Sequence, residues 1–182
     1  MKAWTNTELS YGSVAALLHW GMAVLLVLLI AMGIYMVALP DVGFDQEKIT
    51  LVLTHKALGM VALAAVLARM AWRAGNALPA LAQGMPEWQQ LSARVVHLLF
   101  YALMLALPLT GWLMSSAGGY PMSLFGLELP DLVPVNQVHF RMWIEVHRWL
   151  GYALALLVLL HAGAALHHAW VKRDDTLRRM LF

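Results

Sequence analysis

The sequence has no cysteine and few charged residues. Without cysteine the chain can form neither disulfides nor iron–sulfur clusters, and it cannot attach a c-type haem covalently. Only 12% of its 182 residues are charged and 62% are hydrophobic, whereas soluble domains contain about 25% charged residues. The net charge of +2 is small and no basic block is present, so a nucleic-acid partner is not expected. A mean hydropathy of +0.69 indicates a protein surrounded by lipid.

Four apolar stretches are long enough to cross a membrane as helices, which takes about 20 residues for a hydrocarbon core about 30 Å thick. They cover about residues 14–39, 49–69, 95–114 and 143–170. The third should kink at Pro108, which lacks a backbone N–H, and the connection over residues 115–137 is predicted to be a loop. The sequence therefore predicts an all-α fold, an integral membrane up-down four-helix bundle that forms one domain over residues 1–182.

Basic residues are concentrated at one end of the predicted bundle. Such residues mark the cytoplasmic side of short loops, so we expect both termini to be cytoplasmic. We call this end inner and the opposite end outer. The inner end has Lys2, Arg69, Arg73, Arg94, Lys172, Arg173, Arg178 and Arg179, and the outer end has only Lys48, Lys56, Arg141 and Arg148.

Four of the eight histidines match in pairs by their predicted depth in the membrane. His19 and His161 lie at one height near the inner end, and His55 and His147 lie near the outer end. His147 and His161 are fourteen residues apart, which places them on nearly the same face of helix four, about 21 Å apart. Histidine is an ordinary axial ligand of haem iron. A macrocycle between helices at each depth fits this pattern, and electrons could pass between two such sites.

The two outer histidines begin the same short pattern, in which a basic residue follows the histidine and a glycine comes four residues after it. Residues 55–59 read His-Lys-Ala-Leu-Gly and residues 147–151 read His-Arg-Trp-Leu-Gly. A glycine one helical turn along leaves room for a flat ring against the backbone. The adjacent Lys56 and Arg148 could pair with haem propionates at the outer surface.

With these segments, the chain resembles the bacterial cytochrome b561 family of four-helix, di-haem b membrane proteins. The resemblance also includes Leu-His-Trp at residues 18–20, Arg-Val-Val-His at 94–97, the His-His pair at 167–168 and the closing stretch at 172–180. It covers essentially the whole chain in one order. It implies a multi-pass protein of the bacterial inner (plasma) membrane, in contact with lipid.

The resemblance further implies two non-covalently bound b haems, an inner one held by His19 and His161 and an outer one held by His55 and His147. It implies electron exchange with ubiquinone, and some relatives oxidise superoxide at the outer face. The four outer basic residues could attract such a small anion. The expected function is thus quinone-linked oxidoreductase activity, with catalytic residues and a homo-oligomeric state left open.

Other residues near the inner end are candidates for contacts with quinone or with a haem propionate: His97, Arg94, Arg73 and His168. Each has a plainer alternative. His97 could be a helix-end histidine that faces water, His168 could be an interface residue, and the arginines could serve as membrane anchors.

Two other functions stay open at this point. The chain could be a haem-bearing membrane anchor subunit of a respiratory dehydrogenase or hydrogenase, although its short loops offer little docking surface. It could instead be a histidine-lined metal or proton transporter, which would need ligands along a continuous path. The two separate histidine layers and the lack of carboxylates in the spans, apart from Glu145 at the outer end of the fourth, favour the cytochrome.

Overall fold

A computed structural model describes residues 3–8, 10–40, 45–80, 86–124 and 126–181. Four long helices account for most of this chain: α1 (Ser13–Ala38), α2 (Gln46–Ala74), α3 (Glu87–Ala117) and α4 (Gln137–His167). A π-helical turn (His168–Lys172) extends α4, and a short 3-10 helix (Arg178–Met180) follows it. All four helices are long and apolar enough to cross a membrane. Lys2, which contributes to the predicted orientation, lies outside the described residues.

Helix boundaries follow from local backbone chemistry. The Asp45 carboxylate accepts hydrogen bonds from two backbone N–H groups in the first turn of α2, and the Asn136 side chain does the same for α4. Helix α1 ends just before Pro40, and α3 begins directly after Pro86. Helix α3 therefore starts eight residues before the predicted span, and it continues through Pro108 to Ala117.

The long connection between α3 and α4 is not entirely loop as predicted. It contains a short antiparallel hairpin of β1 (Met122–Leu124) and β2 (Leu127–Leu129), in which Met122 pairs with Leu129. Hairpin strand β1 packs against α2 and α3, and Met122 is buried. The hairpin therefore covers the outer end of the bundle and fixes the position of the loop there.

Consecutive helices pack against one another, and α1 also touches α4 and so closes the bundle. The apolar core is a small cluster contributed by all four helices: Met22, Leu26, Val66, Met104 and Leu154. Leu154 lies midway between His147 and His161 along α4. The core therefore lies between the two histidine layers, and the all-α membrane bundle leaves the histidines on either side of it.

Candidate functional site

The structure brings the outer histidines together. The imidazole centroids of His55 on α2 and His147 on α4 are 6.2 Å apart, with their planes at 78°. Helix α3 supports His147, since a Cβ at Gly111 would lie 3.4 Å from His147 Cε1. The lack of a side chain at Gly111 allows the imidazole to approach the α3 backbone closely.

The inner histidines form a second pair with the same separation. The centroids of His19 on α1 and His161 on α4 are also 6.2 Å apart, at 67°. A third imidazole is close by, because the His97 ring on α3 lies 5.7 Å from that of His161. Phe100 packs edge-on against His161 at 5.2 Å. The inner layer is therefore a group of three histidines, whereas the outer layer has two.

These separations can be compared with those of two imidazoles on opposite sides of one metal ion. With metal–nitrogen bonds of about 2 Å and about 1.2 Å from nitrogen to ring centre, the two centroids would be about 6.4 Å apart. Both 6.2 Å pairs agree with this value. His55 Nδ1 is also buried without a hydrogen-bond partner among the described residues, so the protein does not satisfy this imidazole by itself.

The two glycines of the repeated outer pattern are not packed against other atoms. A Cβ built on Gly59 or on Gly151 would meet no atom within 4 Å, so both positions adjoin open space one helical turn from His55 and His147. The donor set, the pair separation and this open space fit a haem held by two histidines. A haem held there by two imidazoles would have no free site on its iron for substrate, and such a haem would supply electron transfer.

The predicted propionate partners have protein partners in this structure. Lys56 Nζ donates to the Pro121 carbonyl oxygen at 2.7 Å, and this contact ties α2 to the start of the outer hairpin. Arg148 forms an ion pair with Glu145 at 2.9 Å. Both cations lie beside the outer histidine pair in sequence, but Arg148 is paired with a carboxylate, whereas the partner of Lys56 is a neutral carbonyl.

The inner end carries an open pocket, of whose lining residues only Arg73 is predicted from the sequence as a candidate quinone contact. Its lining includes Arg69, Trp72, Arg73 and Tyr101. Arg69 donates to the Tyr101 hydroxyl at 3.4 Å, and its Nη2 lies 3.2 Å from His19 Nδ1, so the pocket adjoins the inner histidine pair. The indole N–H of Trp72 is buried without a partner among the described residues. The only sequence signal was the spacing of Arg69 and Arg73, one turn apart on α2.

The C-terminal tail folds back over this inner end. Trp20 Nε1 on α1 donates to the Met180 carbonyl oxygen at 2.9 Å, and Met180 also lines the inner pocket. The His168 ring bonds to the Asp174 carboxylate. Burial raises the pKa of Asp174, but hydrogen bonds from His168 and Thr176 outweigh this effect and lower that pKa to about 2.

The remaining predicted site residues lie apart from the inner pocket. Arg94 is exposed near the start of α3, and among the described residues it has no ion-pair partner. The His168 ring is 6.1 Å from that of His167 and is held by Asp174, so the structure does not place it against the inner pair. Of the four candidate contacts, Arg73 lines the pocket and His97 joins the histidine layer.

Comparisons with known proteins match the chain to cytochromes b561. The chain is 31% identical over 180 residues to cytochrome b561 homolog 2 of Escherichia coli (strain K12), covering 98% of this chain and 95% of that protein. It is 30% identical over 131 residues to cytochrome b561 homolog 1 of the same organism, covering 70% and 73% of the two chains. A probable superoxide oxidase CybB of Yersinia pestis is 34% identical over 89 residues, about half of each chain.

The model of the family described as prokaryotic cytochrome b561 matches residues 10–182. With the four apolar helices, this match shows a multi-pass membrane protein of an electron-transfer family whose members bind haem b. The chain belongs to the prokaryotic cytochrome b561 family.

Proposed function

We propose that this chain is a di-haem b cytochrome in which His19 and His161 hold an inner haem and His55 and His147 an outer one. The observation that carries this proposal is the equal 6.2 Å separation of the two imidazole pairs at two depths of the bundle. Each bound haem b would supply an iron centre that takes up and releases one electron. The four histidines orient the two centres, and the apolar core between them excludes water.

Haem counting in single-histidine variants tests this assignment. A pyridine haemochrome assay on detergent-purified protein should give two haems per chain for the wild type. His55→Ala and His161→Ala should each give one, since each removes one ligand of a different pair. His139→Ala, which changes an exposed histidine near the outer end, is the matched control and should keep both. Two haems in both ligand variants would refute the assignment.

We further infer that the inner pocket binds the head group of ubiquinone. Quinone carbonyl oxygens accept hydrogen bonds, and the pocket offers donors in Arg69, Arg73, Tyr101 and the unpartnered indole N–H of Trp72. The contact between Arg69 and His19 places this pocket beside the inner histidine pair. Quinone reduction consumes two electrons and two protons, and the pocket is open on one side.

Substitutions in the pocket test the quinone proposal independently of haem binding. Arg73→Gln and Tyr101→Phe should slow electron exchange with a soluble ubiquinone analogue about tenfold or more each, the effect of losing one good hydrogen bond of about 1.5 kcal/mol. Arg178→Gln, an exposed residue of the tail that does not line the pocket, is the control. Normal quinone kinetics in both pocket variants, with haem content unchanged, would exclude this site.

We propose an outer-face electron donor, with superoxide as the leading candidate, and thus superoxide:quinone oxidoreductase activity. The support is the similarity to the probable superoxide oxidase and the set of four outer cations, Lys48, Lys56, Arg141 and Arg148. Each superoxide would lose one electron to become O₂, so two are needed for each quinone reduced to quinol.

A role as a haem-bearing anchor subunit of a dehydrogenase or hydrogenase is the alternative. It predicts that the protein purifies with a larger redox partner from its native membrane under mild detergent. A superoxide:quinone oxidoreductase needs no partner, and the purified chain alone should catalyse the complete reaction. The rival of another class, a metal or proton transporter, predicts a colourless pure protein and is refuted by a b-type visible spectrum.

A further inference from the structure

A buried hydroxyl on α3 holds the ring of His147. Thr110 is 7% exposed, and its Oγ1 lies 3.1 Å from His147 Nδ1 and 2.9 Å from the Leu107 carbonyl oxygen. Thr110 and His147 are far apart in sequence, on neighbouring helices. The contact therefore links one of the outer histidines to the backbone of α3, whose Leu107 carbonyl also faces the His147 ring directly.

The direction of these two hydrogen bonds follows from the groups involved. The Leu107 carbonyl oxygen can only accept, so the single hydroxyl proton of Thr110 is donated to it. The hydroxyl oxygen then has only lone pairs left for His147, and Nδ1 must be the donor. If Thr110 instead donated its proton to His147, the Thr110 hydroxyl oxygen and the Leu107 carbonyl oxygen would face each other at 2.9 Å without a proton between them. His147 therefore carries its proton on Nδ1 and keeps an unprotonated Nε2.

We propose that Thr110 is a positioning residue that fixes this tautomer of His147, leaves Nε2 available to the outer iron and lowers the reduction potential of the outer haem below that of the inner one. The proposal rests on the di-haem function proposed above. A hydrogen bond donated by the free N–H of a metal-bound imidazole makes the ligand more basic. A more basic ligand stabilises the oxidised metal, which lowers the potential.

The inner layer has the opposite environment. The group next to His19 Nδ1 is the guanidinium of Arg69, which can only donate and is always charged. Among the described residues, no carboxylate forms an ion pair with Arg69. If His19 binds iron through Nε2, its proton is on Nδ1 and Arg69 cannot donate a hydrogen bond to that atom, so Arg69 then acts through its charge alone. This positive charge would oppose a further positive charge on an iron bound there and so favour the reduced form.

The two environments shift the potentials in opposite directions. Thr110 lowers the outer potential, and Arg69 raises the inner one. Electrons then move downhill from the outer histidine pair to the inner pair, towards the proposed quinone pocket. Of the two directions that the histidine layers alone allow, the contacts of Thr110 and Arg69 select the inward one.

The test is redox potentiometry on Thr110→Val and Thr110→Ser in a His161→Ala background. That background should bind the outer haem alone, so its potential is read without overlap. Valine keeps the shape of threonine and removes the hydroxyl, and serine restores the hydroxyl. We expect an upward shift of the potential in Thr110→Val and the parent value in Thr110→Ser. Loss of the outer haem in the valine variant, with retention at the parent potential in the serine variant, would equally support positioning by the hydroxyl.

Two outcomes would overturn the proposal. One is an unchanged potential in Thr110→Val, and the other is a Thr110→Ser protein that behaves like Thr110→Val. These outcomes are distinct from failure of the di-haem assignment, which would appear first as a wrong haem count in the His161→Ala parent.

Discussion

The inner layer offers two partners for His161, and the geometry predicts which one shares a haem with it. His19 lies 6.2 Å from His161 and His97 lies 5.7 Å from it, between ring centroids. Two imidazoles bound to opposite sides of one metal need a centroid separation of about 6.4 Å. The His97 ring is about 0.7 Å too close to that of His161, and its side chain is exposed on the bundle surface.

We therefore expect His19→Ala to lower the haem content from two per chain to one, and His97→Ala to leave it at two. The reduced b-type absorbance per chain should fall by half in the first variant and stay within error in the second. The assay is the pyridine haemochrome spectrum, normalised to protein mass by amino-acid analysis. His97→Ala should still change the electron paramagnetic resonance signal of the inner haem, because its ring lies against that of His161.

The opposite pattern would refute this reasoning. If His97→Ala lost a haem and His19→Ala kept both, the inner haem would lie between α3 and α4 and the match in centroid separation would be a coincidence. Loss of one haem in both variants would show that the rings support each other too closely for separation to identify the ligand. In that case, adding His55→Ala to either single variant should remove the second haem as well, and this result would identify the remaining haem as the outer one.

Three further predictions concern stability, pH and salt. Gly12→Ala should lower the free energy of unfolding by on the order of 3 kcal/mol, because the added Cβ would lie 2.5 Å from backbone atoms of Trp4 and Thr5. Thermal unfolding measures this loss. Gly75→Ala is the control, because its Cβ would lie 3.7 Å from the nearest atom. The pKa of Asp174 is lowered to about 2, so its contacts stabilise the tail fully above about pH 3.9 and lose this effect as pH falls through 2. The protection factors of the tail amides, which correct for intrinsic exchange at each pH, should fall over that range. They should also fall at pH 7 in Asp174→Ala. Lys56→Gln should slow haem reduction by superoxide at low salt and flatten the salt dependence of its rate. Arg148→Gln should have a smaller effect, because it removes a charge already paired with Glu145. A Lys56→Gln rate equal to that of the wild type at low salt would exclude steering.

The helices and histidine layers could be predicted because they depend on short-range rules. Span length and hydropathy identify membrane helices, and the rise of a helix converts sequence spacing into depth. The spacing of His147 and His161 was therefore enough to predict two layers, and the structure pairs each with the expected partner ring. Assignment of these rings as iron ligands stays a prediction.

The boundaries and supporting contacts could not be predicted in this way. Helix α3 begins at Glu87 because Pro86 starts it, whereas a hydropathy window detects only the apolar part from Val95 onwards. The contact between Thr110 and His147 depends on how two helices turn towards each other. A threonine beside a glycine in an apolar span was the only available sign, and such pairs also occur in ordinary helix packing.

The location of the apolar core explains how one small bundle could separate electron movement from proton movement. Met22, Leu26, Val66, Met104 and Leu154 are all at most 8% exposed, and they fill the space between the two histidine layers. A layer of such side chains offers water no hydrogen-bond partners, so a proton has no path through it. Electrons need no such path. His147 and His161 are about 21 Å apart along α4, but the edges of two wide, flat rings held at these histidines would be much closer to each other. Replacing Leu154 by Asn should therefore admit water and make the inner potential depend on outer pH, while Leu154→Met should not.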